Sequence, residues 1–184
     1  MNIPAHFLSS WCLAETFSKT RKERICCVIA GLLPDFDGLG ILIDVKYYHK
    51  FHHIIGHNFL VGLLLAVVLA MQSEQRRLRW ILIYFGIFNV HMILDLLGSG
   101  PGWGLYYLWP FSMAYFESPY VWELQSWQNM VAFYIIMIWV VVLYNTKSRT
   151  PLEVVSSSLD QKCVAKINAY IQKRRQRRNS SRQS

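Results

Sequence analysis

The sequence predicts an all-α, multi-pass membrane bundle of about five helical segments, two short and three close to full spans. Three observations predict it. Of 184 residues, 53% are hydrophobic and only 16% are charged, where soluble domains carry about 25%. The apolar residues gather in three runs of 18, residues 54–71, 80–97 and 127–144. As helices rising ~1.5 Å per residue, these runs each reach about 27 Å, close to a hydrocarbon core of ~30 Å. The basic residues fall between and after the runs, not within them. Burying three such runs in a soluble bundle would leave too few residues to cover them.

Taken in order, residues 4–18 and 25–33 are apolar but too short for simple spans. They read as short or tilted helices packed on the longer ones. The run 54–71 has only His57 and Asn58 as strongly polar residues, and 80–97 is interrupted by Asn89, His91 and Asp95. The run 127–144 opens with Trp127, Gln128 and Asn129. Residues 98–126 form a Pro-, Gly- and aromatic-rich loop, expected as a Trp/Tyr belt at the membrane interface and as a possible cover for a site. Length suits one membrane-embedded domain, residues 1–150, followed by a basic, partly disordered tail, residues 151–184.

No basic stretch precedes the first apolar segment, so no cleaved signal peptide is expected. Cys12, Cys26, Cys27 and Cys163 lack paired zinc-type spacing and read as small structural hydrophobes.

The formal charge is +8, and its placement suggests a topology. The connectors 19–24 and 74–79, the positions Lys147 and Arg149, and the tail are basic. The tail carries eight Lys/Arg against Glu153 and Asp160. Up-and-down threading puts these segments on one side, cytoplasmic by the positive-inside rule, with the C-terminus inside. Lys46 and Lys50 are exceptions. The bilayer is the expected partner, with anionic head groups at the tail. The tail has no interleaved aromatic platform, which argues against nucleic acid, and no protein partner is legible.

The same threading collects the polar candidates at the opposite end. His6 starts the first helix, and Asp35 and Asp37 follow the second. His52, His53 and His57 start the third, while His91 and Asp95 lie in the last turns of the fourth. His53 and His57 are four apart, as are His91 and Asp95, so each pair would share a helix face. Mixed imidazole and carboxylate donors suit Zn²⁺, with Mn²⁺ or Fe²⁺ as alternatives, and more than four donors allow more than one ion. The chemistry such a site serves is water activation, with Asp35, Asp37 or Asp95 as a base. An aspartate inside a span is costly and usually carries a function. His49 reads as interfacial.

Four blocks resemble the YdjM family, described as LexA-binding, inner-membrane-associated metal-dependent hydrolases. Ala5-His6-Phe7-Leu8 is similar to that family's Gly-His-hydrophobic start. Leu32-Leu33-Pro34-Asp35-Phe36-Asp37 matches its Leu-Leu-Pro-Asp-hydrophobic-Asp motif. Residues 52–58 resemble its His-Arg-Gly-x-Thr-His-Ser motif, with His53, Gly56 and Asn58 at its Arg, Thr and Ser positions. His91-Met92-Ile93-Leu94-Asp95 with Trp109-Pro110 is similar to its His-x-x-x-Asp and Trp-Pro pair. The likeness covers roughly residues 1–144. It implies a bacterial inner-membrane location and metal-dependent hydrolysis, and it points to His52 where helical spacing favours His53. A more distant likeness to zinc-dependent phospholipase C proteins implies a phosphoester in a lipid head group.

Two other functions fit the same residues. One is a small transporter or ion relay, which needs polar residues through the span, with Asn89 as the main one. The other is a non-catalytic scaffold with a structural metal.

Overall fold

The computed structural model describes residues 1–42, 44–46, 48, 52–73 and 76–180; His49, Lys50, Glu74 and the last four residues lie outside the described residues. Among them are six α-helices: α1 (Ile3–Phe17), α2 (Arg21–Leu32), α3 (Phe59–Ala70), α4 (Arg77–Gly98), α5 (Trp127–Lys147) and α6 (Ser157–Ser180). A 3-10 helix, Leu33–Leu42, continues α2, and a second, Pro151–Val154, precedes α6. The described residues contain no strand, only one bridge between Leu105 and Phe116.

Local chemistry sets the helix starts. The Asn2 side chain accepts the Ala5 N–H at 3.0 Å, and Pro4 occupies the first turn of α1. Thr20 and Glu23 form a reciprocal capping box on α2, satisfying donors that the helix leaves open. Pro34 has no N–H to continue the ladder, and the chain tightens there into the 3-10 helix.

The apolar runs and the helices differ in two places. Residues 21–42 form one continuous helical stretch of 22 residues, long and apolar enough to cross a membrane, as α4 and α5 also are. The short segment expected at residues 25–33 ends at Pro34, whereas the 3-10 helix carries the stretch on to Leu42. Conversely, the run from residue 54 becomes helical only at Phe59. Asn58 stops the helix from starting earlier: its Oδ1 accepts the Val61 N–H, while its Nδ2 donates to the Ile54 and Ile55 carbonyls. α3 is therefore 12 residues long, about 18 Å, and too short for a simple span. In the tail, α6 runs as a helix to Ser180.

The chain divides into two compact units, Met1–Met137 and Ile138–Ser184. In the first, small residues let α1–α4 approach closely. Ala14, Cys26, Cys27, Ala30, Ala66 and Ala70 pack around Trp80, Tyr84 and Ile87. Gly31 lies so near Ser10 that any side chain there would overlap it. Glu15 and Arg24 form a buried ion pair at 3.0 Å. Large apolar side chains point outward, including Leu78, Leu82, Tyr134 and Ile135, as hydrocarbon surroundings favour. In the second unit, Asp160 accepts from the Thr150 N–H and hydroxyl at 2.7 Å each, and Tyr144 donates to Asn168 at 2.8 Å.

Candidate metal centre

Five separate pieces of chain meet at one end of the first unit: the start of α1, the 3-10 helix after α2, the turn before α3, the last turns of α4, and the aromatic loop. His6, His53, His57, His91 and Asp95 are buried, and the side chains of Asp35 and Asp37 are largely so.

The two aspartates of the 3-10 helix grip His57 from opposite sides. Phe36 between them turns outward. Asp37 Oδ2 accepts from His57 Nδ1 at 3.0 Å, and also from the His53 and Gly56 backbone N–H groups at 3.2 and 2.9 Å. Asp37 Oδ1 takes His52 Nδ1 at 2.6 Å. Asp35 Oδ1 lies 3.8 Å from His57 Nε2 and 3.5 Å from His91 Nε2. Gly56 is needed for this grip, because a β-carbon there would overlap the Pro34 carbonyl oxygen and crowd Asp37 Oδ2 at 3.1 Å.

The hydrogen bonds fix the tautomers. A carbonyl or carboxylate only accepts, so the ring nitrogen facing it must donate. His91 Nδ1 donates to Gly31 O at 2.8 Å, and His53 Nδ1 donates to Trp103 O at 3.0 Å. With His57 Nδ1 donating to Asp37, three imidazoles direct Nε2 inward. There His91 Nε2 and His57 Nε2 are 3.2 Å apart. They lie 2.9 and 3.4 Å from Asp95 Oδ2, and His53 Nε2 is 4.0 Å from it. His6 Nε2 meets Asp95 Oδ1 at 3.1 Å, its ring stacked on His91. The Met1 amino group also touches Asp95 Oδ1 and reaches Ser99 Oγ at 2.9 Å.

This donor set fits a metal ion. Asp95 Oδ2, Asp35 Oδ2 and His6 Nδ1 are buried without a hydrogen-bond partner, an arrangement that is costly unless a cation or water completes it. Three overlapping groups have one donor atom per residue within 4.8 Å of one another: His6, Asp35, His91 and Asp95; His53, His57 and Asp95; and Asp37, His52 and His57. His53, His57 and His91 each have an oxygen behind the other ring nitrogen, the second layer usual for metal-bound histidine.

Electrostatics separate the two buried loop histidines. Burial, aided by the neighbouring His57, pushes His53 down to about 3. Burial also opposes charge on His57, but the Asp37 and Asp95 carboxylates outweigh it and hold His57 up at about 9. A proton and a metal ion would compete for the same Nε2 lone pair.

All eight residues singled out in the sequence come to this one region, though not for the expected helical reason. Residues 52–58 are turns, with His53 in the left-handed region at φ 68°, so the His53/His57 spacing is not a helix face. His53 faces Asp95, whereas His52 stands on Asp37 at the outer edge. His91 and Asp95 do share a face of α4. Sequence reasoning missed the backbone partners, the carbonyls of Gly31 and Trp103, which no side-chain pattern announces. The aromatic loop expected as a possible cover does border the cluster: Trp103 and Tyr106, together with Tyr115, which the sequence did not single out, line a cavity of about 440 Å³ with His52 and His53. The loop is anchored by Phe59 N–H to Tyr107 O at 2.8 Å and by Tyr107 O–H to Asn89 Oδ1 at 2.5 Å.

In comparison with known proteins, the family described as YdjM inner membrane protein matches residues 1–159. No curated protein and no solved structure matches the chain.

Proposed function

The chain belongs to the YdjM inner membrane protein family, and from that premise we propose that it is a membrane-bound metal-dependent hydrolase. Its substrate is a phosphoester or other ester in an amphipathic molecule. The observation carrying this reading is the set of three Nε2 atoms that face Asp95 Oδ2, a buried carboxylate oxygen without a hydrogen-bond partner. His57, His91, Asp35 and Asp95 would hold a divalent ion, Zn²⁺ first among the choices, with His6 and His53 at the margins. A second ion would draw on His52 and Asp37. A bound ion supplies Lewis acidity toward a phosphoryl or carbonyl oxygen and makes water a better nucleophile.

The chain's own groups do the rest. Asp37 fixes the ring of His57, and Gly31 O fixes that of His91. Asp35, with Oδ1 toward the cluster and Oδ2 free of partners, is the favoured proton acceptor. Trp103, Tyr106 and Tyr115 offer the polar-edged aromatic wall that an amphipathic head group needs beside a membrane. By the positive-inside rule we assign the basic connectors and tail to the cytoplasm and the cluster to the opposite face.

A transporter is less well supported. Asn89 is occupied on both sides, donating to Phe85 O and accepting from Tyr107, and residues 63–70 are wholly apolar.

The test is metal analysis of detergent-purified protein by plasma mass spectrometry, wild type against Asp95→Ala and His57→Ala. Phospholipid cleavage is followed in parallel. Stoichiometric metal lost in both variants, together with metal-dependent cleavage, is expected. Wild-type protein that never retains a transition metal would end the proposal.

A further inference from the structure

A second cavity, of about 550 Å³, opens at the other end of the first unit, between the α1–α2 connector, the chain after α3 and the start of α4. Four cations line it, Lys19 and Lys22 from one side and Arg76 and Arg79 from the other. None has a carboxylate ion-pair partner among the described residues. Glu23, the acidic residue in the wall, accepts both the Lys19 and Thr20 backbone N–H groups at 2.8 Å. Lys22 donates to Gln72 O at 3.3 Å, and Arg79 donates to Phe17 O at 3.4 Å. Each has donors to spare, since an ammonium carries three and a guanidinium five. The side chains of Lys19 and Arg76 make no hydrogen bond among the described residues. The Arg79 guanidinium lies 5.7 Å over the buried ring of Trp80, which keeps it at the cavity wall.

We propose that this cavity binds a phosphate-bearing anion, presented by an anionic phospholipid of the adjacent leaflet. Four like charges converging on one concavity repel one another, and a phosphate relieves that repulsion while matching the guanidinium fork. The phospholipid source follows from the surroundings. Phe17, Met71, Leu78 and Leu82, on the elements bordering the cavity, expose apolar side chains along which acyl chains can lie. Basic pockets between helices at a membrane surface are built for such head groups. The site lies far from the His/Asp cluster: Arg79 and His91 are twelve residues apart on α4, about 18 Å. It does not depend on metal chemistry.

The test uses the full chain in a neutral detergent and follows its thermal unfolding. The probes are dioleoylphosphatidylglycerol, dioleoylphosphatidylcholine and inorganic phosphate. The variant is Lys19→Gln/Arg76→Gln, chosen because neither side chain makes a hydrogen bond among the described residues. Arg174→Gln/Arg175→Gln in the tail controls for general charge. Phosphatidylglycerol should raise the melting temperature of the wild type and the tail variant, and phosphatidylcholine should not. The cavity variant should need about 25-fold more phosphatidylglycerol for the same shift, about fivefold per cation removed. An equal response of the cavity variant and wild type would overturn the site. Inorganic phosphate giving the full shift, with phosphatidylglycerol adding nothing, would overturn the lipid source.

Discussion

Replacing Asp37 by asparagine separates two roles that the geometry offers it, metal ligand and orienting group. Asp37 Oδ2 receives three donors, from His57, His53 and Gly56. An asparagine oxygen in that place keeps all three. Its amide nitrogen would replace Oδ1 opposite His52, whose ring can change tautomer to accept. What is lost is the negative charge behind His57. Outer partners of this kind change metal affinity about 10–100-fold, or about 1.4–2.7 kcal/mol. Asp95→Asn removes the charge that three Nε2 atoms face, and breaking such a buried set costs about 3–5 kcal/mol, a loss of about 150- to 5,000-fold. Competition for Zn²⁺ against a fluorescent chelator in detergent measures both. Asp37→Asn should bind at least tenfold better than Asp95→Asn. Equal losses would refute the orienting role and make Asp37 a ligand.

Three further outcomes are expected. Gly56→Ala should lower stability by about 1–3 kcal/mol through overlap with Pro34 O, read as a drop in melting temperature, and should weaken Zn²⁺ binding because Asp37 is displaced. Tyr107→Phe leaves Asn89 Oδ1 without its donor and should cost about 1–3 kcal/mol; hydrogen exchange should rise in residues 103–116 and stay unchanged in α1. Removing residues 151–184 should leave Zn²⁺ affinity within about twofold, since no cluster donor lies there, whereas a scaffold acting through its tail would lose its role.

Much of this arrangement was legible because charge and hydropathy act over whole segments. Basic connectors at one end implied polar residues at the other, and that inference needed no helix boundary. It brought His6, the Asp35/Asp37 pair, the 52–57 group and His91/Asp95 to one region before any geometry was known. Boundaries were less legible where one side chain decides them. Asn58 holds the chain out of helix with three hydrogen bonds, so the apolar run 54–71 overstated α3. Pro34 converts a helix end into a 3-10 extension, so the stretch 21–42 was understated. Backbone partners were illegible in principle, since any residue has a carbonyl. Gly56 was the one local clue, being a glycine beside a histidine that must be approached closely.

The donors of the cluster come from chain positions as far apart as His6 and Asp95, with His57 and His91 34 positions apart. An ion held by them would be a staple as well as a reagent. Closing a loop of that length removes unfolded-chain entropy worth about 3–4 kcal/mol in the cross-link model. The elements it would fasten include the two helices least able to hold themselves in a bilayer, α1 with 15 residues and α3 with 12. Every donor is in the chain once α4 has been made. Loading could then precede insertion of α5 and lock the first four helices as a unit, so that starving a cell of the metal would deplete the protein itself, not only its chemistry.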